Sequence, residues 1–233
     1  MASALLRVRV GIIGGAAAAA ATSAMAFAEA QNSASGSSSS AGQDQAAVAE
    51  EQRERCQRYK EAAFKDRKVS FLMKMMSVYG CPVQQHKFVK CRPCDAKAGG
   101  GLFVKDDGGC DVTLCQDKLK DEYHATVVVR HELIHALDHC KYDLNWRDPK
   151  QVACSEIRAN SLSGDCDWYT EFMRNAINFP LILKSAHQPK CVRRRAVLSV
   201  EMACGISKQE AGDAVDSVWE SCYKDTSPFG VIP

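Results

Sequence analysis

Twelve cysteines lie between Cys56 and Cys222, and the first 55 residues contain none. This distribution divides the chain into a cysteine-rich segment that must fold as a unit and a preceding tail of different character. An even number of cysteines spread over a whole domain reads as a disulfide framework, which requires an oxidising compartment. A structural zinc is the competing explanation for four of them. Cys91-x2-Cys94 followed by Cys110-x4-Cys115 has tolerable zinc-ribbon spacing, but that arrangement leaves eight cysteines without a role.

The tail carries Arg7 and Arg9 with no early acid, then an apolar, alanine-rich stretch from Val10 to Ala28. The small-x-small steps Ala24-Met25-Ala26 and Ala26-Phe27-Ala28 suit a secretory signal. The length also suits a marginal membrane anchor, and the early arginines suit a mitochondrial targeting segment. The residues alone do not separate these three. Gln31 to Gln45, with its serine run at 37–40, reads as a low-complexity linker. Residues 1–45 are thus expected to be a targeting or anchoring segment plus linker, and residues 46–233 one domain. A formal net charge of +2 over 233 residues gives no electrostatic reason to expect nucleic acid as a partner.

Within the domain, Glu51 to Lys60 reads as a charged helix. Val69 to Val78 is an apolar stretch whose Met73, Met75 and Met76 suit core packing or a docking face. Gly80-Cys81-Pro82 breaks the chain. Short strands are expected at Phe88-Val89, Leu102 to Val104 and Val112 to Cys115, with turns at Ala98 to Gly101 and Asp106 to Gly109. Further helices are expected over Cys154 to Ser163, Cys191 to Met202 and Lys208 to Cys222. The class is α+β, mostly helical with a small sheet.

One segment carries chemistry. His131-Glu132-Leu133-Ile134-His135 places two imidazoles one helical turn apart on the same face, the geometry that holds one zinc ion. The spacing of Val127, Val128, Leu133, Ile134 and Leu137 predicts a buried amphipathic helix, and Asp121-Glu122 suit its N-terminus. Glu132 is then placed as the catalytic base of a zinc metallopeptidase, so a zincin-like domain with one catalytic Zn2+ is expected. A catalytic zinc takes three protein ligands. Glu156, twenty-one residues after His135 on a second helix, is the leading third ligand. Its alternative role is a salt bridge to a neighbour such as Arg158. Asp138 shares the face of His131 and His135, and is either the third ligand or an outer residue that orients an imidazole. His139 lies about 12 Å along the helix from His131, too far to share the ion, and reads as structural or at the rim.

A family resemblance rests on several blocks. They are Val129-Arg130-His131-Glu132-Leu133-Ile134-His135-Ala136, Ala153-Cys154-Ser155-Glu156-Ile157-Arg158-Ala159, Leu162-Ser163-Gly164-Asp165-Cys166, Cys191-Val192-Arg193-Arg194-Arg195-Ala196-Val197 and Val218-Trp219-Glu220-Ser221-Cys222-Tyr223 with Pro228-Phe229. In order and spacing these resemble the mitochondrial inner-membrane metalloprotease family that processes a subunit of ATP synthase. The resemblance covers residues 50 to 233. It implies a peripheral protein on the intermembrane-space side of the inner membrane, with an oxidative relay supplying its disulfides. It implies as partners the precursor of an ATP synthase membrane subunit and the inner-membrane surface or assembly factors. It also implies help with assembly of the membrane sector, a chaperone task separable from proteolysis. By position, His131 and His135 are carried over as zinc ligands and Glu132 as the base; the third ligand is less settled. Met1 to Ala28 departs from a family whose members commonly lack a cleavable presequence.

Three rival readings accompany this one. A non-proteolytic assembly chaperone would not need the HExxH segment. A nuclear interaction protein follows from relatives described as Ku-associated, with Arg193-Arg194-Arg195 either a basic patch or the solvated face of a helix. A secreted zinc protease would account for the signal-like start.

Overall fold

The computed structural model describes residues 38–95, 98–174 and 184–233. The expected targeting segment, residues 1–28, and the linker up to residue 37 lie outside them. The described chain runs α1 (Ser38–Phe64), α2 (Arg67–Val78), α3 (Gln85–Phe88), β1 (Val89–Arg92), β2 (Gly100–Val104), β3 (Cys110–Cys115), α4 (Glu122–Tyr142), α5 (Pro149–Leu162), α6 (Trp168–Met173), α7 (Lys184–Cys204) and α8 (Lys208–Lys224). Helix α1 starts at Ser38, inside the stretch expected as linker.

Local chemistry explains the boundaries. Asp66 caps α2, accepting from the amides of Lys68 and Val69, and Tyr79 with Gly80 ends it. Asp121 caps α4 through the His124 amide, with Glu122 in the first turn as expected. Asp148 and Pro149 start α5 five residues before the expected Cys154. A capping box between Ser207 and Glu210 opens α8. Helix α7 starts at Lys184 rather than Cys191, with Pro189 inside it.

The sheet has order β1-β3-β2. Strand β1 pairs parallel with β3, with Val89 opposite Val112, and β2 pairs antiparallel with β3, with Leu102 opposite Val112. Strand β2 is therefore an edge. It begins at Gly100, within the segment expected to turn, and the reason is contact rather than curvature. A Cβ at Gly100 would stand 2.7 Å from Val128 Cγ1 on α4 and 2.8 Å from the Thr113 carbonyl oxygen. Only glycine lets the strand lie this close to the helix.

Two apolar cores result. The first gathers Leu72, Met73 and Met76 of α2, Val112 and Leu114 of β3, and Leu133, Ile134 and Leu137 of α4. The second gathers Val192, Ala196 and Val200 of α7 with Ala211 and Val215 of α8. Helix α5 serves both, sending Ala159 and Leu162 into the first and Val152, Ala153 and Ile157 into the second. Burial at roughly 25 cal/mol per Å² of apolar surface drives each assembly.

Ten cysteines form five disulfides: Cys56–Cys91, Cys81–Cys140, Cys94–Cys115, Cys154–Cys222 and Cys166–Cys191. Cys110 and Cys204 are free. This corrects the structural-zinc alternative, because Cys91, Cys94 and Cys115 already have sulfur partners. The first three bridges join elements around the first core, and the last two join elements around the second. Denaturing the native protein without reductant and adding an alkylating agent should label two of the twelve cysteines. Mass spectrometry checks this: four or more labels would mean that a bridge is absent.

Asp66 also ties α2 to the site helix. Its carboxylate accepts from Arg130 Nε at 2.9 Å, and Arg130 Nη1 donates to the Ser163 carbonyl. Burial pushes the Asp66 carboxyl up, but Arg130 and the two capping amides outweigh it and hold it below the usual carboxylate range. Asp66→Ala should cost about 2–3 kcal/mol in urea unfolding at pH 7, from the lost cap and the unpaired arginine. A depressed carboxylate stabilises above its unfolded pKa and loses that contribution as pH falls. The gap between wild type and variant should therefore narrow below about pH 4. Equal unfolding midpoints at pH 7 would refute this role.

Candidate metal centre and active site

His131 and His135 project from α4 at the junction of the two cores, and Glu156 projects from α5 to meet them. His131 Nε2 lies 3.1 Å from His135 Nε2, Glu156 Oε1 lies 3.4 Å from His135 Nε2, and Glu156 Oε2 lies 3.6 Å from His131 Nε2. The three residues form one of two groupings of metal-ligating side chains among the described residues. Metal bonds of about 2.0–2.2 Å at tetrahedral angles place donor atoms about 3.3–3.5 Å apart, so the set fits zinc. The other grouping, Glu171, His187 and Cys191, does not. Cys191 is bonded to Cys166, and Glu171 is paired with Arg174 and Arg194.

Hydrogen bonding prepares the donors. His135 Nδ1 is 2.8 Å from Ser155 Oγ, whose hydroxyl donates to Asp138 Oδ2 at 3.0 Å. With that proton engaged, Ser155 accepts from His135 Nδ1–H, and His135 Nε2 presents a lone pair to Glu156 and His131. Glu156 Oε2 accepts from Asn160 Nδ2 at 3.1 Å, and Asn160 Oδ1 accepts from Arg195 Nε at 2.9 Å. Burial pushes the Glu156 carboxyl up, but the two imidazoles outweigh it and hold it far below the usual range.

Glu132 sits one residue along α4 with its side chain buried behind β2. Burial pushes its carboxyl up to about 7, with repulsion from Glu156 and Asp165 adding to the rise. His135 and the Leu102 amide oppose it. A carboxylate with a pKa near neutrality, beside a metal position and an open strand edge, is suited to exchange protons.

Asp138 is not part of the convergence. It is 2% exposed and its carboxylate is taken by Arg158 Nε at 3.1 Å and by Ser155, so the salt bridge expected between Arg158 and Glu156 goes to Asp138 instead. His139 also stands apart, with Nε2 3.3 Å from the Gly108 carbonyl and Nδ1 accepting from Trp146 Nε1 at 3.3 Å. Trp146 meets His135 edge-on, with ring centroids 5.7 Å apart.

The residues sequence reasoning missed are those that hold the ligands: Ser155, Asn160, Trp146 and Arg195. The i, i+4 relation of Glu156 and Asn160 was the one available signal. The arginine triplet is the solvated face of α7 rather than an unpaired basic patch: Arg193 and Arg194 are exposed and Arg195 is half-buried. Arg193 pairs with Asp216 at 2.6 Å, Arg194 with buried Glu171, and Arg195 with buried Asp165. Asp165 is held below the usual range because Arg195, His131 and Arg174 together outweigh its burial.

The chain is similar to known proteins over most of the described residues. The peptidase M76 family matches residues 54–230. A human protein, mitochondrial inner membrane protease ATP23 homolog, is 40% identical over 166 residues, covering 71% of this chain and 64% of that protein. A similarly named zebrafish protein (Danio rerio) is 40% identical over 70% of this chain and 61% of its own length. The Saccharomyces cerevisiae mitochondrial inner membrane protease ATP23 is 41% identical, over 61% of each chain. The match thus spans less than two thirds of each of these relatives. No solved structure matches the chain.

Proposed function

The chain belongs to the peptidase M76 family, and from that premise we propose that it is a zinc-dependent metalloendopeptidase of the mitochondrial inner membrane, on the intermembrane-space side. Its substrate is the precursor of an ATP synthase membrane subunit, and it assists assembly of the membrane sector. The observation that carries the reading is the approach of His131, His135 and Glu156 to donor separations of 3.1, 3.4 and 3.6 Å, with Glu132 beside them. Relatives named for the inner membrane support the location, as do five disulfides, which need an oxidising space. Among the described residues no helix is long and apolar enough to cross a membrane, which is compatible with peripheral attachment.

Bound zinc supplies Lewis acidity to the scissile carbonyl and to the attacking water. The chain does the rest. Strand β2 offers its free edge to an extended substrate by strand addition, which lays the peptide across the site. Glu132 takes the proton from the attacking water and delivers it to the leaving amine. His131, His135 and Glu156 would hold the ion. Incubating the oxidised, zinc-loaded protein with the subunit precursor should remove the precursor's N-terminal segment. An intact precursor would refute the peptidase reading and favour the assembly role alone.

A further inference from the structure

The chain of hydrogen bonds behind His135 does not end at Asp138. Arg158 grips Asp138, with Nη2 at 3.0 Å from Oδ1 and Nε at 3.1 Å from both carboxylate oxygens. The same guanidinium turns its other face to the segment after α8, donating through Nη1 to the Asp225 carbonyl at 2.9 Å and through Nη2 to the Ser227 carbonyl at 2.7 Å. Asp225 adds its carboxylate at 2.5 Å. Arg158 and Asp138 are each 3% exposed at the side chain. Every acceptor in this chain is matched to a donor, so each member holds the next in one orientation. The Cys154–Cys222 disulfide fixes the end of α8 to α5 immediately before Ser155.

We propose that Ser155 is a positioning residue for the metal ligand His135, and that the segment Asp225–Ser227 is the far anchor of the relay that holds it. Ser155 touches no substrate. Its hydroxyl accepts from His135 Nδ1–H and donates to Asp138, which selects the tautomer that leaves Nε2 free for a metal. Without that acceptor the imidazole can carry its proton on either nitrogen and rotate about χ2. Residues behind a metal ligand in this way typically contribute about 10–100-fold to metal affinity. The C-terminal segment has no ligand of its own, yet its two carbonyls fix Arg158, Arg158 fixes Asp138, and Asp138 fixes Ser155.

The inference rests on the zinc site proposed above, and its test separates the two. Zinc affinity is measured by competition with a chromophoric chelator for the full, oxidised protein and for Ser155→Ala and Ser161→Ala. Ser161 is a second buried serine of α5, bonded instead to Gln188 Nε2 at 3.2 Å, and it controls for loss of a buried helical hydroxyl. Ser155→Ala should weaken zinc binding about 10–100-fold, and Ser161→Ala should leave it unchanged. Imidazole 15N spectra of metal-free Ser155→Ala should show His135 losing its single tautomer. Equal zinc affinity in wild type and Ser155→Ala, or equal losses in both variants, would overturn the relay while leaving the zinc site standing. A wild type that binds no zinc would sink the site itself.

Discussion

Glu132→Gln should lower kcat/KM for precursor cleavage by roughly 10²–10⁴-fold, the usual contribution of a positioned general base. Zinc content and melting temperature should not fall. The amide is nearly isosteric with the carboxyl, and its oxygen still accepts from the Leu102 amide. It also relieves the burial cost that pushes the Glu132 carboxyl up to about 7. What the amide cannot do is receive a proton from water and pass it on. Steady-state kinetics with metal analysis on the same sample decides the matter. A variant with unchanged zinc and wild-type rate would remove Glu132 from the mechanism, and a variant without zinc would make it a structural residue of the site.

Glu156→Gln should cost more zinc affinity than any residue behind the ligands, beyond the roughly 10–100-fold assigned to such partners. The substitution replaces one of three ligand atoms, and an amide oxygen lacks the charge that draws a dication. It also changes stability. His131 and His135 stand on α4, built into the first core, whereas Glu156 stands on the helix shared with the second. None of the five disulfides links α4 to α5, α7 or α8. A bound ion would therefore tie α4 to α5 where no covalent bridge does, and ligand binding to the folded state raises its stability by mass action. Wild type should melt higher in zinc than after chelation, with its disulfides intact, and Glu156→Gln should show little of that difference. A melting temperature in Glu156→Gln that rises with zinc as it does in wild type would show that Glu156 is not a ligand.

The site helix was legible because its signals are local. The four-residue histidine spacing and the apolar stripe both survive without knowledge of any neighbour, and the Asp121 cap does too. Glu156 was legible only as one of two carboxylates, because the choice between it and Asp138 depends on how α5 crosses α4. The crossing gives Asp138 to Arg158 and leaves Glu156 to the histidines. Gly100 misled for an instructive reason. Glycine in sequence suggests a turn, but here it serves a strand that lies against Val128 and the Glu132 side chain, 3.6 Å from a Cβ it does not have. Helix α7 starts seven residues before the expected Cys191 and runs through Pro189. Helix α6 gave no signal: it is six residues long and has no side-chain cap bond. The cysteine count pointed to disulfides, but the pairing, and the freedom of Cys110 and Cys204, depended on the fold.

Zinc K-edge absorption on the oxidised protein reconstituted with one equivalent of zinc tests the central claim most directly. The account predicts nitrogen and oxygen neighbours at about 2.0–2.2 Å, multiple-scattering features of two imidazoles, and no sulfur. A sulfur shell at about 2.3 Å, or a single imidazole, would contradict it.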